Sequence, residues 1–357
     1  MQETATPSAA PGTLDSRLEQ TLAWLERHRL LLAMASFAMG AASFLLVQRG
    51  ERLAQWIALL LVLNWLLIIS EATLGRWLSR FRWARFSPMV LRYGMQAVHQ
   101  QTFFFCMPFL LSTTTWSSGQ ALFTGTAIAA ALVSMWDPLY YGVVAPRPAL
   151  HLAFHGFAMY LAMLTVPPLL WQLDTTQSLA LASVTIGLLS VPSLAGLIGP
   201  RKPWRWAMLL GAAAALGLLS WLARPWVPPA TLWLGQAVIS ADVDADQREP
   251  GTSLATVSDQ VLRRDGLCAF TAIHAPRGLS EQVFHRWLFR GQEMLRLPLQ
   301  IAGGREQGYR AWSCKHSFPA DAAGRWTVQV VTDGGQLIGV VRFRVQAAGG
   351  SPPPAIP

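Results

Sequence analysis

His151 and His155 lie four residues apart in an apolar stretch, which puts both imidazoles on one helical face at the spacing of a metal pair. A polar stripe precedes them. Arg92, Gln96, His99 and Gln100 fall at i, i+4, i+7 and i+8 of an otherwise apolar helix. Asp137 closes the next apolar run, and Glu71 closes an earlier one. An ionisable group inside a bilayer is costly and carries a functional expectation. Three histidines and two carboxylates could hold a metal, line a proton or solute path, or hydrogen-bond helices together. Glu71, Arg92, Asp137 and His151 fall near the ends of their runs, where water and head groups solvate them. Gln96, His99, Gln100 and His155 are deep.

A second set lies near the C-terminus. Along a strand, His285 and Trp287 share one face, and so do Arg310, Trp312 and Cys314, with Lys315 next in line. Aromatic rings beside a guanidinium could form a platform for a sugar, a peptide or a lipid head group. The competing reading is structural, a buried tryptophan with arginine packed over it. No Ser-His-Asp or paired-carboxylate spacing accompanies this second set, so it does not call for catalysis. Of the three cysteines, Cys106 lies in an apolar run and reads as a small buried side chain. By parity Cys268 goes with Phe270, and Cys314 with Trp312. Both are expected to point inward, as a disulfide or as two buried thiols.

The elements that must position these residues follow from charge. Of 357 residues 52% are hydrophobic and 13% charged, against about 25% charged in a soluble domain. From Tyr93 to Pro200 the only charges are Asp137, Arg147 and Asp174. Apolar runs long enough to span a bilayer fall near 30–48, 53–72, 94–112, 120–137, 150–171, 178–198 and 206–223, which predicts about seven transmembrane helices. The loops on one side hold twelve Lys and Arg (17, 27, 29, 76, 80, 82, 85, 92, 147, 201, 202, 205), while the other side holds three (49, 52, 224). That asymmetry predicts a cytoplasmic N-terminus and an exported C-terminus. Residues 1–16 lack the features of a cleaved signal, so the first span is expected to be an uncleaved anchor. The net charge of +9 is therefore a mark of orientation and no argument for nucleic acid.

After residue 235 the composition becomes that of a soluble domain, with 13 Lys and Arg against 11 Asp and Glu over 236–346. Alternating runs predict strands near 236–240, 267–274, 283–290, 293–301, 309–316, 325–331 and 337–345, with Asp333-Gly334-Gly335 as a turn. The pattern fits an all-β immunoglobulin-like sandwich following an α-helical transmembrane bundle. The expected domains are a cytoplasmic segment 1–29, a helical domain 30–224, a linker with the first strand 225–265, a sandwich 266–346 and a disordered tail 347–357. The acidic run Asp242-Val-Asp244-Ala-Asp246 opens like a calcium loop. It then has Gln247 at the sixth position and Ser253 at the twelfth, so it reads as a solvated loop.

His285-Arg-Trp287, then Arg310-Ala-Trp312-Ser313-Cys-Lys315, then Gly324-Arg-Trp326-Thr-Val328 occur in order. This set resembles the bacterial domain of unknown function DUF2914 over about 267–345. The helical half is similar to the uncharacterised region that often precedes that domain, with Pro108 and Asp137-Pro-Leu-Tyr140 as shared marks. The resemblance implies a bacterial inner-membrane protein with a periplasmic β-domain, and it carries over no catalytic residue. His-x-x-x-His also resembles certain seven-span metal-dependent lipid hydrolases, but there the pair lies in the last span rather than the fifth.

The expectation is a non-enzymatic inner-membrane protein whose periplasmic sandwich binds a protein, glycan or lipid of the envelope through His285, Trp287, Arg310, Trp312 and Lys315. It requires the bilayer and an envelope partner, and no cofactor. The alternative is an intramembrane enzyme or transporter using Gln96, His99, Gln100, Asp137, His151 and His155, with a metal at the histidines.

Overall fold

The computed structural model describes residues 87–199, 202–275, 279–302 and 307–347, and isolated positions between 20 and 42. The chain divides into a helical N-terminal region and a β-rich C-terminal region. The helices are α1 (Ser87–Thr113), α2 (Gln120–Met135), α3 (Asp137–Val144, ending in a π-helical turn), α4 (Pro148–Trp171), α5 (Thr175–Ile198) and α6 (Pro203–Leu222). Their ends follow local rules. Pro148 and Pro203 stand in the first turns of α4 and α6, where a missing N–H costs nothing. Asp174 and Gln177 form a capping box on α5, and Gly199 closes it in the left-handed region at φ 57°.

Among the described residues two helices, α4 and α6, are long and apolar enough to cross a membrane, or three if α2 and α3, bent by 97° at their junction, count as one broken span. The expected count of seven is therefore not met here. Candidate spans 30–48 and 53–72 lie outside the described residues, apart from isolated positions up to residue 42. The polar stripe Gln96, His99, Gln100 and Gln101 interrupts the apolar run of α1. Helix α5 spans Thr175–Ile198, and its described apolar stretch is Thr175–Val191.

The helices pack in sequence, α1 on α2 and α4, α4 on α5, and α5 on α6. Phe103, Cys106, Phe109, Ala127, Ala131 and Leu161 form the core of the first group. The α5–α6 crossing uses small residues at four-residue spacing. A Cβ on Gly217 would stand 3.0 Å from the Ser183 carbonyl, and one on Gly187 would stand 3.1 Å from that of Ala213. Such close approach lets the two helix backbones pack directly against each other.

The β region holds two sheets. One orders β1 (Trp233–Ser240), β5 (Leu267–His274) and β8 (Tyr309–Lys315) as β1-β5-β8. The other contains β4 (Thr256–Ser258), β6 (Ser280–Phe289), β7 (Gln292–Ala302), β9 (Gly324–Thr332) and β10 (Leu337–Gln346) in the order β4-β10-β9-β6-β7. All pairings are antiparallel except β4 with β10. The sheets face each other across a shared core of Ile239, Leu267 and Ala269 from one side and Trp287, Trp326, Val328, Phe343 and Val345 from the other.

Every predicted strand is present within a few residues. The predicted turn closes on Gly335, whose φ of 83° suits glycine. The expected linker 241–265 is more structured than anticipated. It forms a ribbon of β2 (Val243–Asp244) and β3 (Glu249–Pro250), then β4, then helix α7 (Asp259–Asp265) capped by Ser258. These pieces are too short to show a hydrophobic period. The tail beyond Ala347 lies outside the described residues.

Cys268 and Cys314 stand opposite each other on β5 and β8 and are joined in a disulfide. Their direction differs from expectation. Ala269, Thr271, Ala311 and Ser313 point into the sandwich, so both cysteines lie on the outer face of the three-stranded sheet. Cys106 is a free, fully buried thiol.

Candidate functional site

Helix α1 presents Gln96 and His99 on one face, and α3 meets that face with Asp137 and Tyr140 at the same three-residue spacing. Two rungs result. Gln96 Nε2 donates to Asp137 Oδ1 at 2.8 Å and to the Ser134 carbonyl at 3.1 Å. His99 Nδ1 meets the Tyr140 hydroxyl at 2.9 Å. Helix α4 closes the site from the other side, with His99 Nε2 2.9 Å from His155 Nδ1. The His151 ring stands edge-on to His99 at 5.7 Å between centroids, and Phe154 does so at 5.2 Å. His99 is fully buried and Tyr140 nearly so, whereas His151, His155 and Asp137 are half-buried.

The candidates Gln96, His99, Asp137, His151 and His155 thus come together. Gln100 is buried one position further along α1, the side chain of Arg92 is outside the described set, and so is Glu71. Tyr140 is the member that the polar pattern missed. Its spacing from Asp137, matching that of His99 from Gln96, is the signal that could have found it.

The hydrogen-bond chain has a chemical property that its members lack singly. A neutral imidazole donates from one nitrogen and accepts at the other. Tyr140, His99 and His155 can therefore be ordered in two ways. In one, the tyrosine hydroxyl donates to Nδ1 of His99, and Nε2–H donates to His155. In the other, both bonds reverse. Switching between them displaces protons along the chain with no heavy atom moving far. A metal is less well served, because the two nearest nitrogens are engaged with each other. Among the described residues no group of three His, Cys, Asp or Glu is arranged to hold an ion.

The second candidate set does not converge. His285 and Trp287 are fully buried in the sandwich. His285 Nε2 meets Thr271 Oγ1 at 2.9 Å, and its Nδ1 meets Ser313 Oγ at 2.8 Å. Trp287 Nε1 donates to Ser313 Oγ at 3.0 Å, and Thr271 donates to the Ala311 carbonyl at 3.3 Å. One neutral tautomer, with the proton on Nε2, satisfies every member. Burial pushes the His285 imidazole down to about 3. Arg310 lies on the opposite, outer face of the three-stranded sheet and donates to the carbonyls of Gln247 and Arg248 at 3.4 and 3.3 Å. Trp312 shares that outer face, half-buried. Lys315 turns inward, its Nζ 5.4 Å from the centre of the Phe318 ring.

The junction of the two regions carries polar residues that the sequence did not single out. Glu281 at the start of β6 accepts from the Thr175 amide at 2.9 Å and the Thr175 hydroxyl at 2.6 Å, at the N-terminus of α5. Burial pushes its carboxyl up to about 7, against the lowering effect of those two donors. Gln120 Nε2 donates to the Leu337 carbonyl at 2.7 Å, and Gln336 Nε2 to that of Val227 at 3.2 Å.

A family model described as "Family of unknown function (DUF5924)" matches residues 12–269, well over half of the chain. The chain belongs to this family. A second model, "Protein of unknown function (DUF2914)", matches residues 280–345, in accord with the C-terminal motifs. The DUF5924 segment contains the whole histidine cluster and also β1 and the start of β5, so the sandwich is shared between the two matches. No curated protein and no solved structure matches the chain.

Proposed function

We propose that the chain is a multi-span bacterial inner-membrane protein whose helical half moves protons through the chain Tyr140–His99–His155, with an immunoglobulin-like sandwich on the periplasmic side. The observation that carries this reading is the reversible hydrogen-bond chain running from a fully buried histidine to a half-buried one. The apolar helices, the one-sided arginines and the exposed face of α6, of which only 11% of the apolar window is buried, support the membrane setting. The strand order, with β4 parallel to β10 at one edge, supports the immunoglobulin-like assignment of the sandwich.

The test is purified protein in vesicles that enclose a pH-sensitive dye. Wild-type vesicles should dissipate an imposed pH gradient faster than empty ones, and His99→Phe and Tyr140→Phe should each slow this at least tenfold. Wild-type vesicles no leakier than empty ones would sink the reading. Stoichiometric zinc that disappears with His155→Ala would replace it with a metal site.

A second reading keeps the helices as an anchor and places the function in the sandwich, which meets an envelope component. The junction favours it, because Glu281, Gln120 and Gln336 fix the sandwich to the helical ends. Under this reading His99→Phe leaves cells unaffected, and deletion of the sandwich does not.

A further inference from the structure

The outer face of the five-stranded sheet is rich in arginine. Inward-facing Trp326, Val328, Phe343, Val345 and Trp287 fix the parity of β9, β10 and β6. Arg325 on β9, Arg342 and Arg344 on β10, and Arg286 on β6 therefore point outward, with Arg296 on β7 directly opposite Arg286. The register sets like charges against each other twice, Arg344 opposite Arg325 and Arg286 opposite Arg296. Such cross-strand pairs destabilise a sheet unless something neutralises them.

Neutralisation from within is scarce. Arg286 pairs with Glu293 at 2.6 Å. Among the described residues no carboxylate pairs with Arg296, Arg325, Arg342 or Arg344. Arg296 lies over the Phe284 ring at 3.9 Å, which holds its guanidinium against the face. The sandwich as a whole is close to balanced, 13 positive against 11 negative residues over 236–346. The excess is local, since Asp242, Asp244, Asp246 and Glu249 lie on the β2–β3 ribbon beside the other sheet.

We propose that this face binds a soluble linear polyanion, a chain with repeated carboxylate or phosphate groups, each bridging an opposed arginine pair. A planar guanidinium fork suits either group. The position of Arg286 and Arg296 along the strands favours a soluble polymer over lipid. Ile338, whose carbonyl accepts from Thr115, marks the junction with the helices. Arg342 on β10 still touches the helical end, donating to Ser117 Oγ at 3.1 Å, and Arg344 lies two residues further along, roughly 7 Å at 3.3 Å per residue. Arg286 lies five residues beyond Glu281, roughly 17 Å on the same scale. The head-group layer is only about 5–8 Å deep on each side. The inference rests on the second reading above and is independent of the histidine chain.

The experiment uses the full chain in nanodiscs of zwitterionic phosphatidylcholine, titrated with fluorescent heparin as the polyanion. Wild type should bind at low salt, with log affinity falling linearly against log salt. Arg296→Gln, Arg325→Gln and Arg344→Gln together should weaken binding at least tenfold and flatten that slope. Arg344→Gln alone, which needs no refolding of the face, should weaken it severalfold. Arg248→Gln, Arg263→Gln and Arg264→Gln together remove the same charge elsewhere and should change affinity less than twofold. Equal losses in the two triple variants would reduce the effect to net charge and overturn the proposal. Arginine-dependent binding to phosphatidylglycerol nanodiscs without heparin binding would also overturn it, in favour of lipid. No heparin binding, with an uncharged envelope glycan captured instead, would overturn it while leaving the second reading in place.

Discussion

The two regions each bury a histidine completely, His99 among the helices and His285 in the sandwich, and each bonds both ring nitrogens at 2.8–2.9 Å. The surroundings separate them. The partners of His285 are hydroxyls that are themselves committed, Thr271 to a carbonyl and Ser313 to an indole. One proton arrangement satisfies that network, so it is a fixed cross-brace between the sheets. The partners of His99 are a phenol and a second imidazole, which accept either direction of donation. Burial and bond count alone therefore say little about function. The chemistry of the neighbours, hydroxyl against imidazole, is what differs.

The largest expected effect tests the brace. His285→Ala removes a packed ring and strands the Ser313 and Thr271 hydroxyls in the core. It should cost on the order of 3 kcal/mol in a denaturant or thermal melt of the sandwich. His99→Phe keeps the ring volume and should cost about 1–2 kcal/mol while abolishing proton movement. Equal stability losses at the two positions, with proton movement intact in the His99 variant, would erase the distinction drawn here.

The next effect concerns pH, where the junction and the core of the sandwich should respond with opposite sign. Glu281 has a folded-state pKa of about 7, above its unfolded value of about 4.3. Its contribution to docking is full below the unfolded value and is lost as pH rises through about 7, on the order of 2–3 kcal/mol in all. His285 has a folded-state value of about 3, below the usual imidazole range. Its contribution is full above about 6.5 and is lost as pH falls toward 3. Melting followed from pH 4 to 8 should show the two trends in separate transitions, and Glu281→Gln should flatten only the upper one.

The smallest effect sharpens the contrast between the faces of the sandwich. Arg344→Glu places a carboxylate opposite Arg325 and should raise stability by about 0.2–1 kcal/mol. A loss would mean that the arginines are already neutralised.

The strands were legible because each has an inward period of two, and the pattern Trp326, Val328, Val330 against Val341, Phe343, Val345 survives in the register. The same parity correctly grouped Cys314 with Trp312. Parity alone does not say which face of β8 meets the other sheet, so it groups His285 with Arg310 although they stand on opposite sides of the three-stranded sheet. In the helical half, the stripe on α1 and the pair on α4 were legible as faces. The place of Tyr140 beside His99 depends on the bend of 97° before α3, which has no sequence period. Glu281 was invisible because a lone carboxylate at a strand start looks solvated until the N-terminus of α5 covers it.

Strand β5 runs down the middle of the three-stranded sheet, and its other neighbour, β8, begins 35 residues after β5 ends. During synthesis, β1 and β5 can pair as soon as both have emerged. The far edge of β5, with Cys268 on it, then stays open until Tyr309–Lys315 has followed. Over that interval the nascent chain exposes an unsatisfied strand edge and an unpaired thiol. β8 therefore acts as the chain's own chaperone for that edge, and a truncation before residue 309 would leave it free to pair with another molecule.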